Sequence, residues 1–179
     1  MWKISATRSL LSLILALSLI PASVSAATLT GRVVRVSGGD TIVVLDANNA
    51  QHKIRLQGID TPEKGQAYGS KSKDHLSDAV AGKFVVVEYE KLDRYKRIVG
   101  KVLLSGEAMT LEQIKAGLAW HYKKYEMEQS ATDRIKYSDA ELDARRSRRG
   151  LWADGNPVPP WEYRKAKRDR ERERKKAME

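Results

Sequence analysis

Three short clusters hold side chains that could do chemistry together. The first is Gly38-Gly39-Asp40-Thr41, a carboxylate at a tight turn. The second runs from Arg55 to Glu63 and reads Arg-Leu-Gln-Gly-Ile-Asp-Thr-Pro-Glu. The third is Asp93-Arg94-Tyr95-Lys96-Arg97. Carboxylates beside guanidinium groups suit attack on a phosphodiester. The diester is an anion and repels an incoming hydroxide, and its five-coordinate transition state gathers further negative charge. A hard divalent cation and guanidinium donors offset that charge. Ca²⁺ takes oxygen ligands from carboxylates, backbone carbonyls and water. Asp40 and Asp60 can supply two carboxylates. Pro62 holds the residue before it extended, so the Thr61 carbonyl can supply another oxygen. Arg55 and Arg97 can each fork onto phosphate oxygens, and Glu63 can act as base toward a water.

Each piece alone has a plainer reading. An Asp at a Gly-Gly turn is commonly a turn residue. Asp-Thr-Pro-Glu commonly opens a helix, where acids favour the dipole. The combination carries the argument. Other chemistries are excluded or disfavoured by composition. There is no Cys, which removes disulfides, thiolate zinc sites and a Cys nucleophile. His52, His75 and His121 stand far apart, without metal-ligand spacing or a Ser-His pattern. A surface role is expected for His121. The chain carries 33 Lys and Arg against 23 Asp and Glu. Such a basic surface attracts polyanions.

Short strands must position these clusters. Segments 28–37, 41–46 and 51–59 are rich in Val, Ile and Leu and bounded by Gly, Asp and Asn, which predicts three consecutive strands. In the third, Ile54 and Leu56 share one face, with Lys53, Arg55 and Gln57 on the other. A helix is predicted over 66–80, ended by Gly82. Strands follow over 84–90 and 97–104. Thr110-Leu-Glu-Gln113 reads as a capping box opening a short helix, with Leu111 and Ile114 inward and Gly117 ending it. A third helix is predicted over about 132–148, with Ile135 and Leu142 on one face. Five short strands with a helix after the third fit a five-stranded OB-fold, a β-barrel with three helices.

In residue types, order and spacing the three clusters resemble the staphylococcal (micrococcal) nuclease family. The resemblance covers about Thr28 to Trp152 and includes Gly117-Leu118-Ala119 and Arg149-Gly150-Leu151-Trp152. It implies an OB-fold endonuclease cutting DNA and RNA with Ca²⁺ and leaving 3′-phosphate ends. By motif position it implies Asp40, Asp60 and the Thr61 carbonyl as metal ligands. Arg55, Glu63 and Arg97 become the catalytic residues, with Arg94 and Tyr95 beside the terminal phosphate. Tyr122 and Tyr125, just after the Gly-Leu-Ala segment, are candidates for stacking on bases. Gly38 stands where the family pattern often has an additional Asp, so an outer carboxylate is missing. A non-catalytic OB-fold module that only binds nucleic acid is the rival reading. The presence of Arg55, Glu63 and Arg97 argues against it. Trp152 is expected to cover the base of the barrel.

The ends fall outside the barrel. Lys3 and Arg8, the apolar run Leu10 to Ile20 and the small residues before Ala27 read as a secretory signal over 1–26. The expected product is a periplasmic or secreted protein, without a membrane segment in its mature form. It is expected to be monomeric, with no obligate protein partner. Residues 27–153 would form the nuclease domain, and 154–179 a Pro-rich linker and basic tail. From Trp161 onward the tail has nine basic and five acidic residues and almost no apolar stripe. It is not expected to join the barrel core, and truncation after Tyr163 is expected to leave the melting temperature and the maximal rate nearly unchanged while weakening binding to long nucleic acid.

Overall fold

Alternating β-branched residues build the strands, and their inward faces make one core. The structure, a computed structural model, describes residues 27–179; the leader expected over 1–26 lies outside the described residues. Strand β1 spans Ala27–Gly38, β2 Thr41–Leu45 and β3 Gln51–Leu56. Strand β5 spans Phe84–Leu92 and β6 Ile98–Leu104. The short β4 (Ile59–Asp60) lies between β3 and β5 in sequence, and β7 (Glu107–Ala108) follows β6.

The strand order is β3-β2-β1-β5-β6, and a parallel pairing of β3 with β6 closes the ring. These five strands form the barrel. All other neighbours in it are antiparallel. Val33, Ile42, Val44, Ile54, Leu56, Val85, Val87 and Val102 fill the interior. Full burial of each such side chain contributes about 1.5–3 kcal/mol. The sheet face carrying Ile54 and Leu56 is therefore held inward, which leaves Arg55 on the opposite face.

Helix α1 covers Gly69–Val80. Gly69, Ser72, Leu76 and Val80 recur at helical spacing and are its buried residues. It begins three residues later than the sequence predicts. Residues 63–66 are instead spent on a turn, in which the Gln66 side chain accepts the Glu63 amide N–H at 3.0 Å. The third predicted strand also ends early, at Leu56. The chain turns at Gln57-Gly58 and re-enters as β4, which pairs with β8 (Trp120–His121) in a separate two-stranded sheet.

Helix α2 covers Met109–Lys115 and is capped by Ala108 without a side-chain bond, so Thr110 and Gln113 do not form the expected capping box. Thr110 lies inside the helix, and its hydroxyl donates to the Gln57 carbonyl at 3.0 Å. A short 3₁₀ segment covers Lys123–Glu128. Helix α3 covers Ala131–Arg146, with the Ser130 hydroxyl accepting the Asp133 amide N–H. Its inner face is Tyr137, Glu141 and Ala144, while Ile135 and Leu142 are exposed. The buried Tyr137 joins the barrel core and sets the helix rotation.

A second 3₁₀ segment, Gly150–Ala153, delivers Trp152. Trp152 does not cover the barrel base. It packs with Trp120, Ala144 and Leu151 in a separate cluster, with the Trp120 and Trp152 ring centroids 4.4 Å apart. Helix α4 covers Pro160–Lys176, with Pro160 in its first turn. Its Trp161 packs onto that second cluster.

Candidate active site

The Gly39-Asp40 turn is built for close contact. A Cβ on Gly39 would fall 1.9 Å from the Ser72 hydroxyl oxygen and 3.1 Å from Thr61 Cβ. The absence of a side chain lets the β1–β2 turn press on both α1 and the Asp60-Thr61 segment. Gln113 secures it from below. Its amide nitrogen donates to the Gly39 carbonyl at 2.6 Å and the Ser72 carbonyl at 2.9 Å, and its oxygen is bonded to His75. Asp40 is thereby fixed beside Asp60, and both are buried. Thr61 is buried next to them.

Arg55 bridges the two carboxylates. Its Nη1 donates to Asp40 Oδ2 at 2.5 Å, and its Nη2 donates to Asp60 Oδ1 at 3.0 Å and to the Ile59 carbonyl. Burial alone would weaken its hold on the proton, but the charges of Asp40 and Asp60 outweigh burial and raise its pKa. The Nε–H and one Nη1–H have no protein partner among the described residues, and they remain available to a ligand.

Glu63 is held at the rim of the same cleft. Gly69 comes so close that a Cβ there would fall 2.1 Å from the Glu63 carbonyl oxygen. Arg97 enters from β6's edge. Its Nε and Nη2 both lie 2.7 Å from Asp93 Oδ2. Asp93 Oδ1 accepts the amide N–H groups of Tyr95 and Arg97. Burial would raise the Asp93 pKa, but the Arg97 amide, the Arg97 side chain and the Tyr95 amide outweigh it and hold the carboxyl below its ordinary value. The anion thus orders the loop and aims Arg97, leaving its Nη1 group free of protein partners among the described residues. Tyr95 is exposed, with the Arg94 and Arg97 guanidiniums each 5.5 Å from its ring centroid.

Arg55, Glu63, Arg94, Tyr95, Arg97, Tyr122 and Tyr125 all line one cleft of about 570 Å³. Asp60 reaches it through its bond to Arg55. Tyr122 and Tyr125 sit edge to face, 5.4 Å between centroids. Seven of the sequence candidates, drawn from segments about seventy residues apart, therefore meet in one cleft, while Asp40, Asp60 and Thr61 do not line it and the two acids join it through Arg55.

Residues 53–154 match the family described as "Staphylococcal nuclease homologue". The chain belongs to the staphylococcal nuclease family. It is 46% identical over 143 residues to an "Uncharacterized endonuclease" of Escherichia coli, covering 79% of this chain and 88% of that one. It is 43% identical over 136 residues to an "Uncharacterized endonuclease" of Haemophilus influenzae, covering 76% and 73%. It is 37% identical over 174 residues to a "Micrococcal nuclease" of Shigella flexneri, covering 92% and 97%. The OB-type barrel agrees with this membership, which makes nucleic acid the substrate class and hydrolysis of its phosphodiesters the reaction.

Sequence reasoning missed one residue of this nuclease's site. Arg164 of α4 reaches the two acids. Its Nη2 lies 2.6 Å from Asp60 Oδ2, and its Nη1 lies 3.1 Å from Asp60 Oδ1 and 2.7 Å from Glu63 Oε1. The tail beyond Tyr163, which the sequence sets outside the barrel core, thus places one side chain on Asp60 and Glu63. Arg164 has no motif around it, only alternating charge. The available signal was Trp161 and Tyr163, the apolar pair that heads an otherwise charged helix.

His121 corrects an expectation, because it is buried rather than on the surface. Its Nε2 lies 3.0 Å from Gln129 Oε1, its amide donates to Glu141 Oε1, and its ring meets Tyr137 edge on. Its Nδ1 has no hydrogen-bond partner among the described residues. Burial lowers its pKa, and the Gln129 bond and the Glu141 charge do not overcome that. The unfolded chain takes up the proton near pH 6.5, the usual value, at about which the folded ring still resists it. The unfolded state then binds more protons, so stability falls as pH drops below that value. The melting temperature should decline more steeply from pH 7 to pH 5 in the native protein than in His121→Gln. Parallel declines would rule out this contribution.

Proposed function

We propose that this nuclease is a Ca²⁺-dependent, sugar-nonspecific endonuclease. It cuts DNA and RNA, leaves 3′-phosphate ends, and works in the periplasm or outside the cell after removal of residues 1–26. The observation that carries the reading is the cleft lined by Arg55, Glu63 and Arg97, together with the bonds of Arg55 to the buried Asp40 and Asp60.

The donor set fits a hard cation. Asp40 and Asp60 offer buried carboxylate oxygens, and the likewise buried Thr61, next in the chain after Asp60, would add its carbonyl. Among the described residues no group of three His, Cys, Asp or Glu side chains gathers as a metal site. The protein would then contribute two carboxylates and a carbonyl, and water would complete the shell, a set that Ca²⁺ accepts. When bound, the cation supplies charge neutralisation at the phosphate.

The chain's own groups do the rest. Glu63, at the rim of the cleft, accepts a proton from the attacking water. The free N–H groups of Arg55 and Arg97 bond the phosphate oxygens and hold the growing negative charge. Arg94 and Tyr95 flank a terminal phosphate. Tyr125 offers an exposed ring to bases, a contact indifferent to sequence, and Tyr122 lines the cleft beside it with one face stacked on Trp161.

A plasmid-digestion assay tests the reading. Cleavage is expected with Ca²⁺ and is expected to vanish with chelator. Asp40→Ala should lose cleavage and bind calcium more weakly while keeping its far-UV circular dichroism. Undiminished cleavage in chelator rejects the metal assignment, and binding without any cleavage leaves only a nucleic-acid-binding module.

A further inference from the structure

Helix α4 is anchored to the active-site wall at several points. Trp161 stacks on Tyr122, with centroids 5.3 Å apart and an interplanar angle of 30°, and meets Trp120 edge on at 5.5 Å. Just before the helix, the Val158 carbonyl accepts a bond from Gln66 Nε2 at 2.7 Å. Gln66 also holds the Glu63 amide, so one side chain ties the approach of α4 to the catalytic loop. Arg164 follows Trp161 by three positions and so projects from nearly the same side of the helix.

The placement of Arg164 is chemically specific. Its guanidinium takes both oxygens of Asp60 and one oxygen of Glu63. Asp60 has no exposure, and its side-chain partners among the described residues are Arg55 and Arg164 alone. Arg55 sits on the Asp40 side and Arg164 on the Glu63 side. A positive group thus covers the carboxylate at which the proposed function seats a cation. Arg55 and Arg164 together occupy both oxygens of Asp60, and Arg164 alone holds Oδ2, so a cation ligated there meets a docked guanidinium in its place.

We infer that Arg164 is a built-in competitor for the calcium ion: the cation and the docked guanidinium exclude each other at Asp60. Calcium binding must displace Arg164 and loosen the first turns of α4. The same displacement frees the second oxygen of Asp60 and releases Glu63 for its role as base. The tail then sets the calcium concentration at which the nuclease becomes competent. This inference rests on the calcium reading above.

The alternative is that Arg164 merely supports Asp60, and the two ideas predict opposite signs. Calcium binding is to be measured by titration calorimetry on the protein carrying all of residues 27–179. If Arg164 is docked nine-tenths of the time, Arg164→Ala should bind calcium about tenfold more tightly, because the competent fraction rises to unity. Trp161→Ala, which weakens docking and keeps the charge, should shift affinity in the same direction. In the native protein, calcium should speed amide hydrogen exchange over residues 160–168. Equal or weaker calcium binding by a folded Arg164→Ala protein overturns the inference and leaves the calcium reading intact. Failure of both native and Arg164→Ala proteins to bind calcium overturns both.

Discussion

Arg55→Lys should slow cleavage by about 10²–10³-fold, the usual cost of removing one preorganised donor to a developing charge. Lysine keeps the charge and loses the fork. In this protein the fork has two tasks. One part spans Asp40 and Asp60, and the rest faces the cleft. An ammonium group cannot bridge both carboxylates and also offer a planar pair of donors to phosphate. Stability should suffer as well. From the sequence, Arg55 looks like a residue on the solvent face of a strand, replaceable at little cost. The structure buries most of it between two carboxylates. Removing one member of a buried charge network costs about 3–5 kcal/mol, so Arg55→Ala should unfold at clearly lower denaturant. Single-turnover cleavage and urea titration of both variants check the two claims separately. Turnover near the native rate in Arg55→Lys would reduce this residue to general electrostatics.

The double role of Arg55 marks the limit of what could be read from the sequence. Strand alternation was legible, because Ile54 and Leu56 against Lys53 and Arg55 follow from side-chain period alone. The same is true of the short helix stripe that ends at Leu76 and Val80. Closure of the barrel through the parallel β3–β6 pair was inferred only from element order, since it joins segments more than forty residues apart with no local signal. The acidic motifs were legible because their residue types are unusual at a turn. Their supports were not. Gln113 reads as a capping residue by its spacing from Thr110, yet it is buried under the Asp40 turn. Its value lies in satisfying backbone groups of two other elements, which no local pattern encodes. Arg164 was hidden among similar charges about a hundred residues from its partners.

The small β4–β8 sheet explains how that distant helix reaches the site. Asp60 on β4 pairs in register with Trp120 on β8, and the Tyr122 amide donates to the Gly58 carbonyl at 2.9 Å. One strand therefore carries the acid and the other the aromatic platform. Trp161 docks on that platform, which brings the next turn of α4 over Asp60. The acid and the tail are coupled through two strands of two residues each. Changes in the aromatic cluster should be felt at Asp60 without any direct contact.

Glu63→Gln should lower the cleavage rate by about 10²–10⁴-fold, the range contributed by a positioned general base. The amide matches the carboxylate in size but accepts no proton at neutral pH. Its position is set by the backbone, through the Gln66 bond to its amide and the close approach of Gly69. Those contacts do not involve the carboxylate, so the loop should keep its shape. The one ion pair lost is with Arg164, at groups 34% and 40% exposed, where solvent screening leaves about 0–1 kcal/mol. The melting temperature should therefore move little. Phosphate contacts from Arg55 and Arg97 are untouched, so affinity for uncleaved nucleic acid should persist. The expected signature is a loss confined to the chemical step, seen as slow single-turnover cleavage with native binding and native circular dichroism. If Glu63→Gln cut at the native rate, the proton acceptor would have to be another group, and the assignment of Glu63 as base would be withdrawn.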